Sequence, residues 1–292
     1  MRARVNLGAL LAPSDPQAAL AIARAGLAES RRLGHRRQAL VLLTNAAEVA
    51  VWTGDWDLTL PEFEELLAGD LDREDRIIVL GRLVLIGSWQ GDLVDGLVDE
   101  IVRLVGDTSE PAILISAEVA RADRAFAIGM LEDAAQSYRR AAVMTAEYAP
   151  VCYVLAARAS LLAHDAASAA ADLDGLDATG LHGPAIEARR ASIRAGLAAL
   201  DGRPSDALAL YRDAIRRFRD LGLPIDEAFT AIEMATLLGP AEPEVRVAAE
   251  AAREILTRLE AKPFLERLEE ATKRQSPTPA SERTRPQDAS RV

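Results

Sequence analysis

The sequence has few aromatic residues, a single cysteine and no long uninterrupted hydrophobic run. Cys152 has no partner for an internal disulfide and cannot by itself form a thiolate metal site, which favours a reducing compartment. The most apolar stretch, residues 77–89, contains Arg82 and is shorter than the roughly 20 residues that a membrane-spanning helix needs. We therefore expect a cytoplasmic protein with no span in the membrane.

Several catalytic motifs are also missing from the sequence. It contains no Gly-Lys-Ser or Gly-Lys-Thr of a phosphate-binding loop, no His-Glu-x-x-His and no Gly-x-Ser-x-Gly. The three histidines, His35, His164 and His182, fall in separate predicted turns, so we do not expect a shared metal site. We predict a protein that is not an enzyme and that holds no cofactor or metal.

The charge balance restricts the class of partner. The formal net charge is -11 and the isoelectric point is about 4.9. A chain this acidic is repelled by phosphate backbones and by anionic lipid surfaces. We therefore expect a protein or peptide partner, with no direct contact to nucleic acid or membrane.

The residues that are abundant indicate helices. Half of the sequence is hydrophobic while aromatics make up only 4%, so most of the apolar mass is alanine and leucine, which favour helices. Apolar residues recur at i, i+3, i+4 and i+7, as in Ala207, Leu210, Tyr211 and Ala214. The sequence predicts an all-α fold.

A turn motif recurs with a period near 37 residues. The stretch Trp52-Thr53-Gly54-Asp55-Trp56 has a counterpart 37 residues later in Trp89-Gln90-Gly91-Asp92-Leu93. Equivalent turns follow at Gly129, His164 and Gly202. Seven residues before each turn lies a small or β-branched residue that permits close helix crossing: Ala47, Val84, Ala122, Ala157 and Ala195. We therefore predict repeated units of helix, tight turn and helix.

This pattern resembles the tetratricopeptide repeat, a helix-turn-helix unit of about 34 residues. The segments "ALYRDAIRRFRDLGLPIDEAFTAIEMATLLG" and "AAREILTRLEAKPFLERLEEA" look more narrowly like the carboxy-terminal repeat arms of large bacterial signalling proteins, which follow an ATPase or a nucleotide cyclase domain. The resemblance implies a right-handed α-solenoid of about seven helical pairs over residues 1–274, with a closing helix near residues 263–271. Residues 275–292 are rich in Pro, Ser and Arg without apolar periodicity, and we expect them to be disordered.

The resemblance also indicates where a partner binds. In such arrays the first helix of every pair lines a concave groove, and the peptide-binding members place Asn and charged side chains there. We predict that the groove of this chain is lined by Asn45, Glu48, Trp52, Arg82, Trp89, Asp123, Arg158 and Arg189. The paired tryptophans have two interpretations, a wall of the groove or packing between adjacent repeats.

Two functions are compatible with these features. The first is a noncatalytic scaffold or sensor module in bacterial signal transduction that binds a protein or peptide in its groove. The alternative is the regulatory carboxy-terminal portion of a nucleotide cyclase or ATPase-type transcriptional regulator whose catalytic part is encoded upstream.

Overall fold

The structure, a computed structural model, describes residue 11 and residues 15–273, and this part of the chain contains fourteen α-helices and no strand. The helices are α1 (Pro16–Arg32), α2 (Arg36–Thr53), α3 (Leu60–Leu67), α4 (Arg73–Gln90), α5 (Asp95–Val105), α6 (Pro111–Ala127), α7 (Leu131–Ala142), α8 (Ala149–Leu162), α9 (Ala166–Ala178), α10 (Pro184–Leu200), α11 (Pro204–Asp220), α12 (Pro224–Leu238), α13 (Pro243–Arg258) and α14 (Lys262–Lys273). The predicted all-α repeat array is confirmed, and α14 lies where the closing helix was expected.

Local sequence sets the helix boundaries. Proline occupies the first turn of α1, α6, α10, α11, α12 and α13, where its missing N–H costs no hydrogen bond. Asp15, Asp72 and Asp165 cap α1, α4 and α9 by accepting from the backbone N–H three residues later, at 2.9 to 3.0 Å. The turns at Gly54, Gly91, Gly129, His164 and Gly202 all take up the left-handed conformation, with φ between 59° and 85°.

Consecutive helices pack in pairs, and the predicted small positions lie at their crossings. Ala47, Val84, Ala122, Ala157 and Ala195 are all 0% exposed. We call α2, α4, α6, α8, α10 and α12, the first helices of the pairs, the inner helices. Four of the five successive inner pairs pack against each other: α2 with α4, α4 with α6, α8 with α10, and α10 with α12. The second helices of the pairs, α3, α5, α7, α9, α11 and α13, are the outer helices.

The array closes on itself, which the sequence did not predict. The inner helix α12 packs against α2 as well as α8, and α14 packs against α4. The last segment of the array runs along three successive turns of the first half, where Leu259, Pro263 and Arg267 approach Gly54, Gly91 and Gly129. Arg267 also donates hydrogen bonds to the carbonyls of Phe126 and Ala127 at the end of α6. The carboxy-terminal helices therefore cover the inner side of the repeats.

Two sequence predictions lie beyond this description. The predicted array begins at residue 1, but residues 1–10 and 12–14 lie outside the described residues, and so does the tail that we expect to be disordered, residues 275–292. The handedness of the array stays a prediction. No helix in the described ranges is long and apolar enough to cross a membrane.

Candidate functional site

A pocket of about 280 Å³ lies between five inner helices, α2, α4, α6, α8 and α10. This volume is near the lower end of the range for small-ligand sites, roughly 300 to 1,000 Å³. Six of the eight residues predicted for the groove line this pocket: Glu48, Trp52, Arg82, Trp89, Asp123 and Arg189. These six side chains come from four inner helices, α2, α4, α6 and α10, and are thus brought to one place.

The two tryptophans of the repeat motif differ in their environment. Trp89 is 0% exposed, and its ring packs edge-on against Phe229 of α12 and Phe264 of α14, with centroids 5.2 and 5.8 Å away. Trp52 is only partly buried and lies edge-on to Trp89, with ring centroids 5.7 Å apart. Trp89 therefore packs between helices, as one of the two sequence interpretations expects, and it is also among the residues that line the pocket.

Trp56 lies inside its helix pair, just before the second helix α3. It is 2% exposed in a short 3₁₀ turn, residues 56–58, and its indole N–H donates to the carbonyl of Val51 at 3.1 Å. Because that donor is satisfied within the repeat, Trp56 has a structural role and does not line the pocket.

Both arginines of the pocket already have carboxylate partners. Arg82 donates to Glu48 at 2.7 Å, with the carboxylate side of this pair exposed to solvent. Arg189 donates to the buried Asp226 of α12 at 2.8 Å, and its guanidinium lies 4.4 Å from the centroid of the Trp52 ring. These contacts orient the cations and leave little of their charge uncompensated.

Asp123 is the exception among the charged groups. It is 2% exposed, and one of its oxygens accepts a hydrogen bond from the Tyr138 hydroxyl at 2.7 Å. Its other oxygen has no hydrogen-bond partner among the described residues. Burial raises the pKa of Asp123 to about 7, against the opposing effects of the Tyr138 hydrogen bond and the Arg82 charge. This carboxyl group therefore changes its charge near neutral pH.

A second polar group of the pocket is also unpaired. The indole N–H of Trp89 is buried and finds no acceptor within the described part of the chain. An unpaired buried polar group costs about 1 to 3 kcal/mol, so native proteins retain few of them without a reason. Two residues that line the pocket, Asp123 and Trp89, thus each carry a buried polar atom that the described residues leave unsatisfied.

The chemistry of the pocket favours binding. Cys152 also lines the pocket, but burial and the Asp123 charge raise the pKa of its thiol to about 12, which keeps the thiol protonated and unreactive at neutral pH. The remaining wall is largely apolar and includes Leu85, Val119 and Ile186. Such a lining, with a few convergent polar groups, is typical of a ligand site.

Two predicted groove residues do not line the pocket. Asn45 lies on α2 and is only partly buried. Arg158 of α8 is 1% exposed and donates to Glu233 at 2.6 Å and to Asp226 at 3.0 Å, both on α12. The cation that was expected to grip a partner is therefore neutralised by the chain's own inner helix.

Two tyrosines were missing from the predicted site. Tyr138 lies on the outer helix α7, nine residues after the Gly129 turn. Tyr148 lies in the loop before α8, where the helical period gives no information. The sequence offered one indication that Tyr138 contributes to a polar site: a tyrosine at a buried position carries a hydroxyl group that needs a hydrogen-bond partner.

The sequence was also compared with known proteins. It matches no protein-family model, and no curated protein matches it significantly.

Proposed function

We propose that this chain is a noncatalytic, cytoplasmic binding module of bacterial signal transduction that takes a peptide or a protein segment on the inner side of its helical array. The observation that carries the proposal is the pocket between five inner helices, which contains unpaired polar groups in a mainly apolar wall. The resemblance of the repeats to the tetratricopeptide pattern supports the same kind of partner.

The closed array limits how the partner enters. The helices α12 and α14 pack across the inner side, so an extended peptide cannot lie along the whole row of inner helices. The remaining space is enough for one or two residues of a peptide. We therefore expect the partner to insert a chain end or a single anchor side chain, while the rest of its contacts lie outside.

The pocket can be blocked without touching its charged groups. Val119 is partly buried in the pocket wall on α6, so Val119→Trp fills the space where a ligand would lie. The matched control is Val247→Trp, because Val247 is 73% exposed on α13 and lies outside the pocket. Circular dichroism and thermal midpoints establish that both variants are folded.

The test is a pull-down of synthetic random octapeptides by the immobilised proteins, with the retained sequences read by mass spectrometry. We expect the wild type and Val247→Trp to retain a common set of peptides that Val119→Trp loses by at least tenfold. Retention of no distinct peptides by the wild type, or equal retention by all three proteins, would contradict peptide binding in this pocket.

A further inference from the structure

The unpaired atoms of the pocket restrict the chemistry of its ligand. The free oxygen of Asp123 needs a hydrogen-bond donor, and the indole N–H of Trp89 needs an acceptor. Both side chains are more than nine-tenths buried and line the same pocket. A ligand that satisfies them must carry a donor and an acceptor on one small group.

Charge decides which donor fits best. The pocket is lined by three carboxylates, Glu48, Asp123 and Glu147, and by two guanidinium groups. Each guanidinium is already paired, Arg82 with Glu48 and Arg189 with Asp226, whereas Asp123 makes no ion pair within the described chain. The free oxygen of Asp123 belongs to a carboxylate that no cation neutralises when it is ionised. A protonated amine therefore complements it better than a neutral donor does.

The wall requires an apolar group beside these polar atoms. Leu85, Val119, Val151, Leu155 and Ile186 contribute apolar surface to the pocket, as do the rings of Trp52 and Trp89. In the first residue of a peptide, the ammonium group, the side chain and the carbonyl group are all attached to one α-carbon. The amino terminus therefore supplies the donor, the apolar group and the acceptor together.

We infer that the pocket binds the free amino terminus of a peptide whose first residue is apolar, with the ammonium group at Asp123, the first carbonyl at the Trp89 indole and the side chain on the apolar wall. This inference rests on the proposed peptide-binding function and specifies the part of the peptide that enters. The same chemistry is present in a free amino-acid amide, so the test separates the two sources.

The experiment uses calorimetric titration of the full chain with three probes. These are leucyl-alanyl-glycine amide, the same peptide with an acetylated amino terminus, and leucinamide. We expect acetylation to weaken binding by at least tenfold, because it converts the ammonium group into a neutral amide and so removes the positive charge and two of its three N–H donors. We expect leucinamide to bind more weakly than the free peptide.

Two variants identify the atoms. Asp123→Asn retains an acceptor for Tyr138 but removes the carboxylate, and it should reduce the preference for the free over the acetylated peptide to less than threefold. Tyr211→Phe is the matched control, because the Tyr211 hydroxyl is another buried group without a partner in the described structure but lies outside the pocket. It should retain the full preference.

The outcomes separate the inference from the proposed function. Equal affinity for free and acetylated peptide, or an unchanged preference in Asp123→Asn, overturns the amino-terminal contact while pocket-dependent retention of octapeptides would still support peptide binding. If leucinamide binds as tightly as the peptide, the claim that the bound amino terminus belongs to a peptide is overturned. No binding of any probe at millimolar concentration overturns the inference, and the octapeptide pull-down then decides the proposed function independently.

Discussion

At the scale of single residues, the fourth turn of the array departs from the others. His164 takes a φ of 59° where the equivalent turns have glycine, and a residue with a Cβ pays roughly 1 kcal/mol for this left-handed conformation. The repeat thus adopts its left-handed turn at residue 164 even though a residue with a Cβ prefers a negative φ.

We expect His164→Gly to stabilise the protein by about 0.5 to 1 kcal/mol, since it removes the strain and the wild-type ring makes no contact that the pocket needs. Urea denaturation measures the free energy of unfolding. Gly202→Ala, at the equivalent turn with a φ of 72°, is the converse control and should destabilise by a similar amount. A destabilised His164→Gly would show that the histidine side chain stabilises the turn.

The second residue-scale prediction concerns the buried carboxyl group of Asp123. Its pKa is raised to about 7 in the folded protein, so the unfolded chain releases this proton first as pH rises. The contribution of Asp123 to the free energy of unfolding is fully present below about pH 4. Between about pH 4 and pH 7 this contribution falls by roughly 1.4 kcal/mol per pH unit. The titratable groups that face Asp123 are Arg82, Tyr138 and Cys152.

We therefore expect Asp123→Asn to be more stable than the wild type at pH 8, by a margin that narrows as pH falls towards 5. Comparison of the two proteins cancels the titration of the other groups. Urea denaturation at half-unit steps of pH provides the measurement. A difference in stability that does not change with pH would mean that Asp123 titrates as it does in the unfolded chain.

At the scale of helices and turns, the closure of the array is the feature that most affects function. Gly54 and Gly202 have nearly the same φ, but a Cβ at Gly54 would lie 2.9 Å from the Leu259 side chain, whereas a Cβ at Gly202 has nothing within 4 Å in the described chain. Alanine substitutions at Gly54 and Gly202 therefore separate the cost of backbone strain from the cost of crowding the carboxy-terminal segment that contains Leu259.

We expect Gly54→Ala to destabilise the protein by more than the roughly 1 kcal/mol of Gly202→Ala, because Leu259 must also move. In the background of Leu259→Ala the excess should disappear, since the shorter side chain leaves room for the new methyl group. Equal costs for the two glycine substitutions in the wild-type background would contradict the packing of the carboxy-terminal segment on this turn.

The sequence predicted the repeat units but not their closure, and the reason is physical. The left-handed turns and the small crossing positions depend on contacts within one unit, so they leave a period in the sequence. The packing of α12 on α2 depends on curvature accumulated over several units, which no local pattern records. No local pattern therefore marks Asp226 and Glu233, which pair with Arg158 across 68 and 75 residues.

The same distinction applies to the candidate site. The inner face of the first helices follows from helical spacing, and six predicted residues accordingly meet in the pocket. Arg158 was placed on that face too, but its neutralisation by α12 depends on the closure. The unpaired states of Trp89 and Asp123 are properties of three-dimensional packing and have no signature in the sequence.

At the scale of the whole molecule, the described helices form an array folded back on itself, with a mainly apolar pocket that holds a few polar groups between its inner helices. Buried tryptophan, phenylalanine and the Arg158 ion pairs fix the closing helices, so the pocket has a defined shape before a ligand arrives. Preformed sites lose less conformational entropy on binding, which suits the proposed binding function. The central claim is that this pocket receives the inserted end of the partner.

The most direct test is the two-dimensional proton–nitrogen spectrum of the three tryptophan side chains during titration with leucyl-alanyl-glycine amide. Each indole N–H gives a separate signal, which Trp→Phe variants assign. The account predicts a saturable shift of the Trp89 signal as its N–H gains an acceptor, and a much smaller shift for Trp56, whose N–H is held by Val51. A Trp89 signal that stays unchanged at saturating peptide, or a larger shift at Trp56, would contradict the account.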